Sequence, residues 1–437
     1  MQSELTASAP YVPAVGKLKI YTKIMLRLIP FLGLCLMTSS LDRVNVSFAK
    51  LQMLDELQFS NAVYGIGAGI FFLGYIPFEV PSNAILARVG AKLWIGRIMI
   101  TWGIMSGLMM FVQTPAQFYV LRFLLGMAEA GGLPGVLYYL TSWFPSWRRG
   151  RVIGLLMLGG PIATMFGGPI SGIIMQDMHG LNGWSGWQWL FLLEAMPSVI
   201  LGLIAFFYLP KSPTAAKWLS PEEKTFLADE LAHDVRQAPP GLHRFRDGLL
   251  NKRVWLLGGI DFSILLATYA MGFWLPTFIR GAGETDLVRI GFLCAIPSMA
   301  GIAGLLLLSA SSDKYRERRW HIIVPFLVAA VALSTSTLFL DNVAMIVICF
   351  AVAMMMVTGT ISVFFTLPAT FLTGPAAAAG FALACSLANI AGLVSNSITG
   401  FALELTGSPA SALLIFSGSL CVSCLIVYSL PPKLVNR

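Results

Sequence analysis

Apolar residues along this chain come in long, nearly unbroken runs separated by short polar loops. Read with a window of about 19 residues, they mark stretches near 24–49, 61–86, 93–113, 116–142, 151–176, 187–209, 253–279, 287–310, 321–340, 343–367, 373–402 and 409–430. An α-helix needs about 20 apolar residues to cross the hydrocarbon core of a bilayer. A backbone without water must satisfy its own hydrogen bonds, so each run is expected to be a transmembrane helix. The longer runs imply tilt or ends that project into water.

One hydrophilic stretch of any size, 210–252, splits these spans six and six. Within it, Ser220-Pro221-Glu222-Glu223 reads as the capped start of an amphipathic helix reaching Asp234. Two six-span halves around a linker suggest an internal duplication. Basic loops at matching places, Arg88–Lys92 and Lys314–Arg319, echo it. The expected architecture is an all-α polytopic membrane protein of two pseudo-symmetric six-helix bundles. Its parts are a tail (1–23), a first bundle (24–209), a linker (210–252), a second bundle (253–430) and a short tail (431–437).

Composition agrees. Of 437 residues, 57% are hydrophobic and 11% charged, whereas soluble domains run near 45–50% and 25%. That excludes a cytosolic enzyme, a disordered regulator and a disulfide-built secreted domain. The net charge of +8 would suit nucleic acid, but its distribution points elsewhere. Of the 29 Lys and Arg residues, 24 fall on the face that holds both termini, and only Lys50, Arg280 and Arg289 fall on the other. This asymmetry sets both termini in the cytoplasm and leaves no nucleic-acid surface. The first run follows Lys17, Lys19, Lys23 and Arg27 in the manner of a signal peptide, but it continues through Val44, Val46 and Phe48 with no small-residue cleavage site.

No enzyme chemistry competes. Cys421 and Cys424 form a CxxC inside an apolar run without a second ligand pair, which is packing rather than a zinc site. Walker A, HExxH and GxSxG sequences do not occur, so neither a metal nor an organic cofactor is expected.

The ionisable residues inside spans are the informative ones, because a charge in hydrocarbon is costly and faces a cavity or a partner. They are Asp42, Arg43, Glu79, Arg122, Glu129, Glu194 and Asp261. Helical rise puts Arg43 and Arg122 at about the same depth, roughly 10 Å below the outer surface, with Glu129 two turns deeper. Arginine keeps its charge and can grip a carboxylate with two hydrogen bonds. A carboxyl group in a low-dielectric cavity can take up and release a proton. A fixed cation beside a titratable acid is the minimum needed to couple an anion to a proton, while the same residues could simply tie the first and fourth spans together. Glu79, Glu194 and Asp261 read as local hydrogen-bonding groups. Asn389 and Asn396 lie two turns apart and could face a polar solute. Gly/Pro clusters in the fifth span allow close packing, and also rocking.

The residues resemble the major facilitator superfamily and, within it, the bacterial tartrate, phthalate and hydroxyphenylacetate branch of the anion:cation symporters. The likeness runs from about residue 25 to 430. It rests on Leu41-Asp42-Arg43-Val44-Asn45, Val80-Pro81-Ser82-Asn83, Tyr119-Val120-Leu121-Arg122-Phe123 with Ala128-Glu129-Ala130-Gly131, Gly186-Trp187-Gln188-Trp189, Phe273-Trp274-Leu275-Pro276 and Glu317-Arg318-Arg319-Trp320. The resemblance implies a monomeric carrier in a bacterial inner membrane that takes up a small organic carboxylate with protons by alternating access. By similarity, Arg43, Tyr75 and Asn389 contact substrate, Asp42 and Glu129 are protonation sites, and Arg122 is their charge partner. Arg88, Asp313 and Lys314 belong to the cytoplasmic gate, although Ala87 stands where the superfamily motif has an acid. Phe364, Phe365, Trp274 and Tyr75 hint at room for an aromatic or sugar acid. An exporter or antiporter of the same fold is the alternative, and a non-transporting sensor a more distant one.

Overall fold

The computed structural model describes residues 15–237, 252–315, 317–364 and 374–431. These residues are helical almost throughout. The first crossing is a broken helix, α1 (Val15–Val44) followed by α2 (Val46–Leu57). Then come α3 (Asn61–Val89), α4 (Ala91–Leu108), α5 (Pro115–Glu129) with α6 (Gly132–Thr141), α7 (Ser146–Met157) with α8 (Gly159–Asp177), and α9 (Gly186–Tyr208). After α10 (Pro221–Gln237) follow α11 (Lys252–Gly281), α12 (Leu287–Tyr315), α13 (Trp320–Ser336), α14 (Val343–Phe364), α15 (Gly374–Thr406) and α16 (Ala410–Ser429). Eleven of the continuous or broken helices are long and apolar enough to cross a membrane, and α13 is a shorter apolar one. The expectation of about twelve spans therefore matches what is seen.

Two departures from the expected boundaries matter. The first crossing does not stop near residue 49 but runs on to Leu57. Lys50, which the loop count assigns to the outer face, is consequently inside the protein and only 3% exposed. The fourth crossing breaks immediately after Glu129. Ala130 leaves the helical region (φ −53°, ψ 129°) and Gly131 adopts φ +85°, a left-handed conformation that glycine accepts freely. A side chain there would also collide with Ser82. Ser82 in turn donates to the freed Ala130 carbonyl (2.6 Å) and accepts from the Trp94 indole (2.9 Å), so the interrupted backbone is satisfied within the protein.

The first-half and second-half helices meet most closely at the end away from the termini, here called the distal face. A Cβ on Gly291 of α12 would lie 2.3 Å from the Gly168 carbonyl of α8, and one on Gly172 would lie 2.4 Å from the Leu287 carbonyl. The Val288 amide donates to Gln176 (3.3 Å), and Arg280 of α11 pairs with Asp55 of α2 (3.4 Å). Near the termini, Arg88, Asp313 and Lys314 are exposed and join no ion pair among the described residues.

The linker helix α10 has the expected cap. Ser220 and Glu223 exchange hydrogen bonds through both backbone amides (2.8 and 3.2 Å). Glu223 also pairs with Lys23 (2.8 Å), and Asp234 accepts from the Ser146 amide (3.1 Å), so α10 docks on α1 and α7. The hydrogen bond from Lys23 holds the Glu223 carboxyl below the usual carboxylate range.

Candidate substrate and proton site

A cavity of about 290 Å³ lies between the two halves. Its first-half wall includes Arg43, Asn45, Ser47 and Glu194. Its second-half wall includes Tyr269, Phe273, Ser298 and Thr358. Among the described residues, its charged lining comes from the first half alone. A smaller void of about 30 Å³ adjoins it and is bordered by Ser39, Tyr75, Trp102 and Glu129. Arg43 lines both spaces, so its guanidinium is part of the wall between them.

Arg43 forms an ion pair with Glu129, the last residue of α5. The same carboxylate oxygen accepts from Ser39 (2.5 Å). Glu129 is 3% exposed, whereas a quarter of the Arg43 side chain is accessible. The guanidinium also stands over the rings of Phe71 (5.3 Å) and Tyr75 (5.7 Å), contacts that favour a cation and fix its plane. A ligand carboxylate entering the main cavity would meet the open side of an arginine whose other side is already held by a carboxylate.

Asp42, one residue earlier, points elsewhere. It is 2% exposed and accepts from Trp102 Nε1 (3.0 Å), Ser106 (2.9 Å) and Ser198 (2.6 Å). These donors come from α4 and α9, so Asp42 joins three helices and touches neither arginine. Arg122 also differs from expectation. It is fully buried, donates to the Gly67 and Ala68 carbonyls (3.4 Å each) and stands over Phe71 (5.2 Å). The arginine bonded to Glu129 is Arg43, not Arg122. Both arginines approach the Phe71 ring.

The remaining candidates are placed as follows. Tyr75 borders the small void with Glu129 and packs on Phe71 (6.0 Å). Asn389 accepts from the Tyr269 hydroxyl (3.3 Å), and it is Tyr269 that lines the main cavity. Asn396 does not face a solute: it is fully buried, donates to the Gly392 carbonyl (2.7 Å) and accepts from Trp274 (3.0 Å). Glu194 accepts from Ser171 (2.7 Å) and borders the cavity. Phe365 lies outside the described residues. Tyr269, Ser39 and the three donors around Asp42 were not singled out by sequence reasoning.

The sequence matches the description of the Major Facilitator Superfamily over residues 32–398. The chain belongs to that superfamily. It is 61% identical over 422 residues to a Pseudomonas putida protein provisionally named as a metabolite transport protein, NicT, covering 97% of each chain. It is 43% identical over 408 residues to an Agrobacterium vitis protein provisionally named as a tartrate transporter, covering 93% of this chain and 94% of that one. The xylose transporter XylE of Escherichia coli, in a partially occluded inward-open conformation, has the same fold, with a TM-score of 0.72 at 13% identity over 94% of this chain and 98% of that one. As a member of the superfamily the chain is a secondary transporter and not an enzyme. Its cavity between two sets of six spans is the place such a carrier would hold its solute.

Proposed function

We propose that this protein takes up a small organic carboxylate together with protons, by alternating exposure of the central cavity. The observation that carries the reading is the ion pair between Arg43, which borders the cavity, and Glu129, which is buried behind it. A carboxylate that binds Arg43 competes with Glu129 for the same cation. Two carboxylates around one guanidinium in a low-dielectric site repel each other, so substrate binding and protonation of Glu129 favour each other. With substrate and proton both aboard, the Arg43–Glu129 pair carries no unpaired charge to oppose movement of the halves. Release of the anion lets Glu129 re-form its bond to Arg43 and expel its proton.

Asp42 is the second proton site in this reading. Its three donors suit a carboxylate, and its protonation would loosen the junction of α1, α4 and α9. Tyr75, with Tyr269 held by Asn389, orients the solute beside Arg43, while Arg122 braces α5 against α3. The relative named for tartrate supports a hydroxylated or dicarboxylic acid, and the rings of Tyr269 and Phe273 leave room for an aromatic one. The membrane is a bacterial inner membrane, with both termini in the cytoplasm.

The test is uptake of labelled tartrate, sugar acids and aromatic acids by cells expressing the protein, with and without an uncoupler. Accumulation of at least one acid that collapses with the uncoupler is expected. Accumulation indifferent to the proton gradient contradicts the coupling. Protein-dependent extrusion of the acid contradicts the direction.

A further inference from the structure

Lys50 is the most unusual charge in the molecule that this reading does not use. It sits in α2, is 3% exposed, and its ammonium has no hydrogen-bond partner among the described residues. What surrounds it is aromatic: Nζ lies 3.7 Å from the ring centre of Trp274 and 4.5 Å from that of Tyr64. The two rings meet edge-on (5.0 Å, 86°). Each is fixed by a hydrogen bond, Trp274 Nε1 to Asn396 (3.0 Å) and the Tyr64 hydroxyl to the Phe273 carbonyl (3.0 Å). The acids of the same helix are engaged elsewhere, Asp55 with Arg280 and Glu56 with Ser185 and Trp187.

Ring faces attract an ammonium, but they replace only part of the hydration it gives up on burial. A lysine left this way is undercompensated in the closed distal face. The box is also built from both halves: Lys50 and Tyr64 belong to the first, Trp274 to the second. If the halves part at this face, Trp274 leaves and the ammonium meets water or an anion. Lys50 lies two helical turns beyond Arg43, about 10 Å along the axis. Ser47, between them, and Phe273, beside Trp274, both line the cavity.

We propose that Lys50 is a second carboxylate-binding position, stored in an aromatic box while the distal face is closed and offered to an incoming anion when that face opens. The proposal rests on the reading of the protein as a carboxylate carrier. It makes Lys50 the first cation of a two-step path that ends at Arg43. It also fixes a sign: the stored charge works against closure, so removing it should favour the closed face. A lysine that merely pinned the halves together would do the opposite.

The experiment uses the full chain in lipid nanodiscs, lacking its six native cysteines, with spin labels at Asp177→Cys and Asp286→Cys on the distal ends of α8 and α12. Pulsed electron resonance then reports the open fraction. Lys50→Met is expected to lower that fraction about tenfold, and Lys50→Arg to restore much of it. With Arg43→Ala added, acetate should raise the open fraction over chloride of equal ionic strength when Lys50 is present, and not in Lys50→Met. An equal or larger open fraction in Lys50→Met overturns the proposal. So does a wild type that shows only the closed distance, or an acetate response independent of Lys50. None of these readouts requires uptake, so the carrier reading fails separately, if no acid is accumulated.

Discussion

Arg43 of the first crossing is bonded to Glu129 at the broken end of α5. The bond joins a residue on the wall of the main cavity to one on the wall of the smaller void. Substituting Arg43→Ala removes the cation and leaves the buried Glu129 with only Ser39. Loss of one partner of a buried charge pair costs about 2–5 kcal/mol, so uptake should fall by about thirtyfold or more in initial-rate measurements. Arg43→Lys should recover little of it, since an ammonium lacks the planar fork that grips a carboxylate with two hydrogen bonds.

Glu129→Gln separates coupling from movement. The amide can still meet Ser39 and needs no proton. Accumulation against a gradient should disappear, while exchange of internal for external acid in preloaded vesicles should continue at a substantial rate. Loss of both activities together would assign Glu129 to structure rather than to the proton.

Asp42 should respond differently to two substitutions. In Asp42→Asn the remaining carbonyl can keep the Trp102 and Ser198 bonds, which share one carboxylate oxygen, and the Ser106 hydroxyl can rotate to accept from the amide. In Asp42→Ala all three donors lose their acceptor, at about 1–3 kcal/mol for each buried group left unsatisfied. Thermal unfolding in detergent should therefore show a Tm near wild type for the asparagine variant and a drop of several degrees for the alanine variant. Active uptake should be lost in both.

How much of this was legible in the sequence follows from what each residue depends on. The spans came from runs of apolar residues, a signal carried by each helix alone. The break after Glu129 was readable in principle from Gly131-Gly132 and Pro134. Arg43 and Glu129 announced themselves as charges in hydrocarbon. What decides their roles is the neighbouring helix, and no single run contains it. Arg122 had the same sequence credentials as Arg43, yet it faces the Gly67 and Ala68 carbonyls. Lys50 reads as a loop residue because the first apolar run ends near residue 49, whereas the helix continues to Leu57. The donors to Asp42 left one faint trace: Trp102 and Ser106, like Glu194 and Ser198, are polar-bearing pairs four apart on apolar helices, and such pairs share a face.

The linker helix supplies a prediction outside the membrane. The Glu223 carboxyl sits below the usual range chiefly because Lys23 bonds to it, and Ser220 does the same for Glu222. A depressed carboxyl contributes stability that is present above its unfolded pKa and is lost as pH falls through the folded value. Docking of α10 should therefore be constant near neutrality and weaken only below about pH 4. Glu223→Gln should show weaker docking already at pH 7, read as faster backbone hydrogen exchange in 221–237. The effect should be small, because the pair is partly solvated.

In the proposed cycle a carboxylate on Arg43 and a proton on Glu129 come together. Linkage makes that measurable without transport. Binding of the acid that gives the largest thermal shift should be followed by titration calorimetry in two buffers of different ionisation enthalpy. The wild type should take up about one proton per anion bound at neutral pH, and Glu129→Gln should clearly lose that uptake. Anion binding with no net proton uptake, or with the same uptake in the variant, would contradict that cycle.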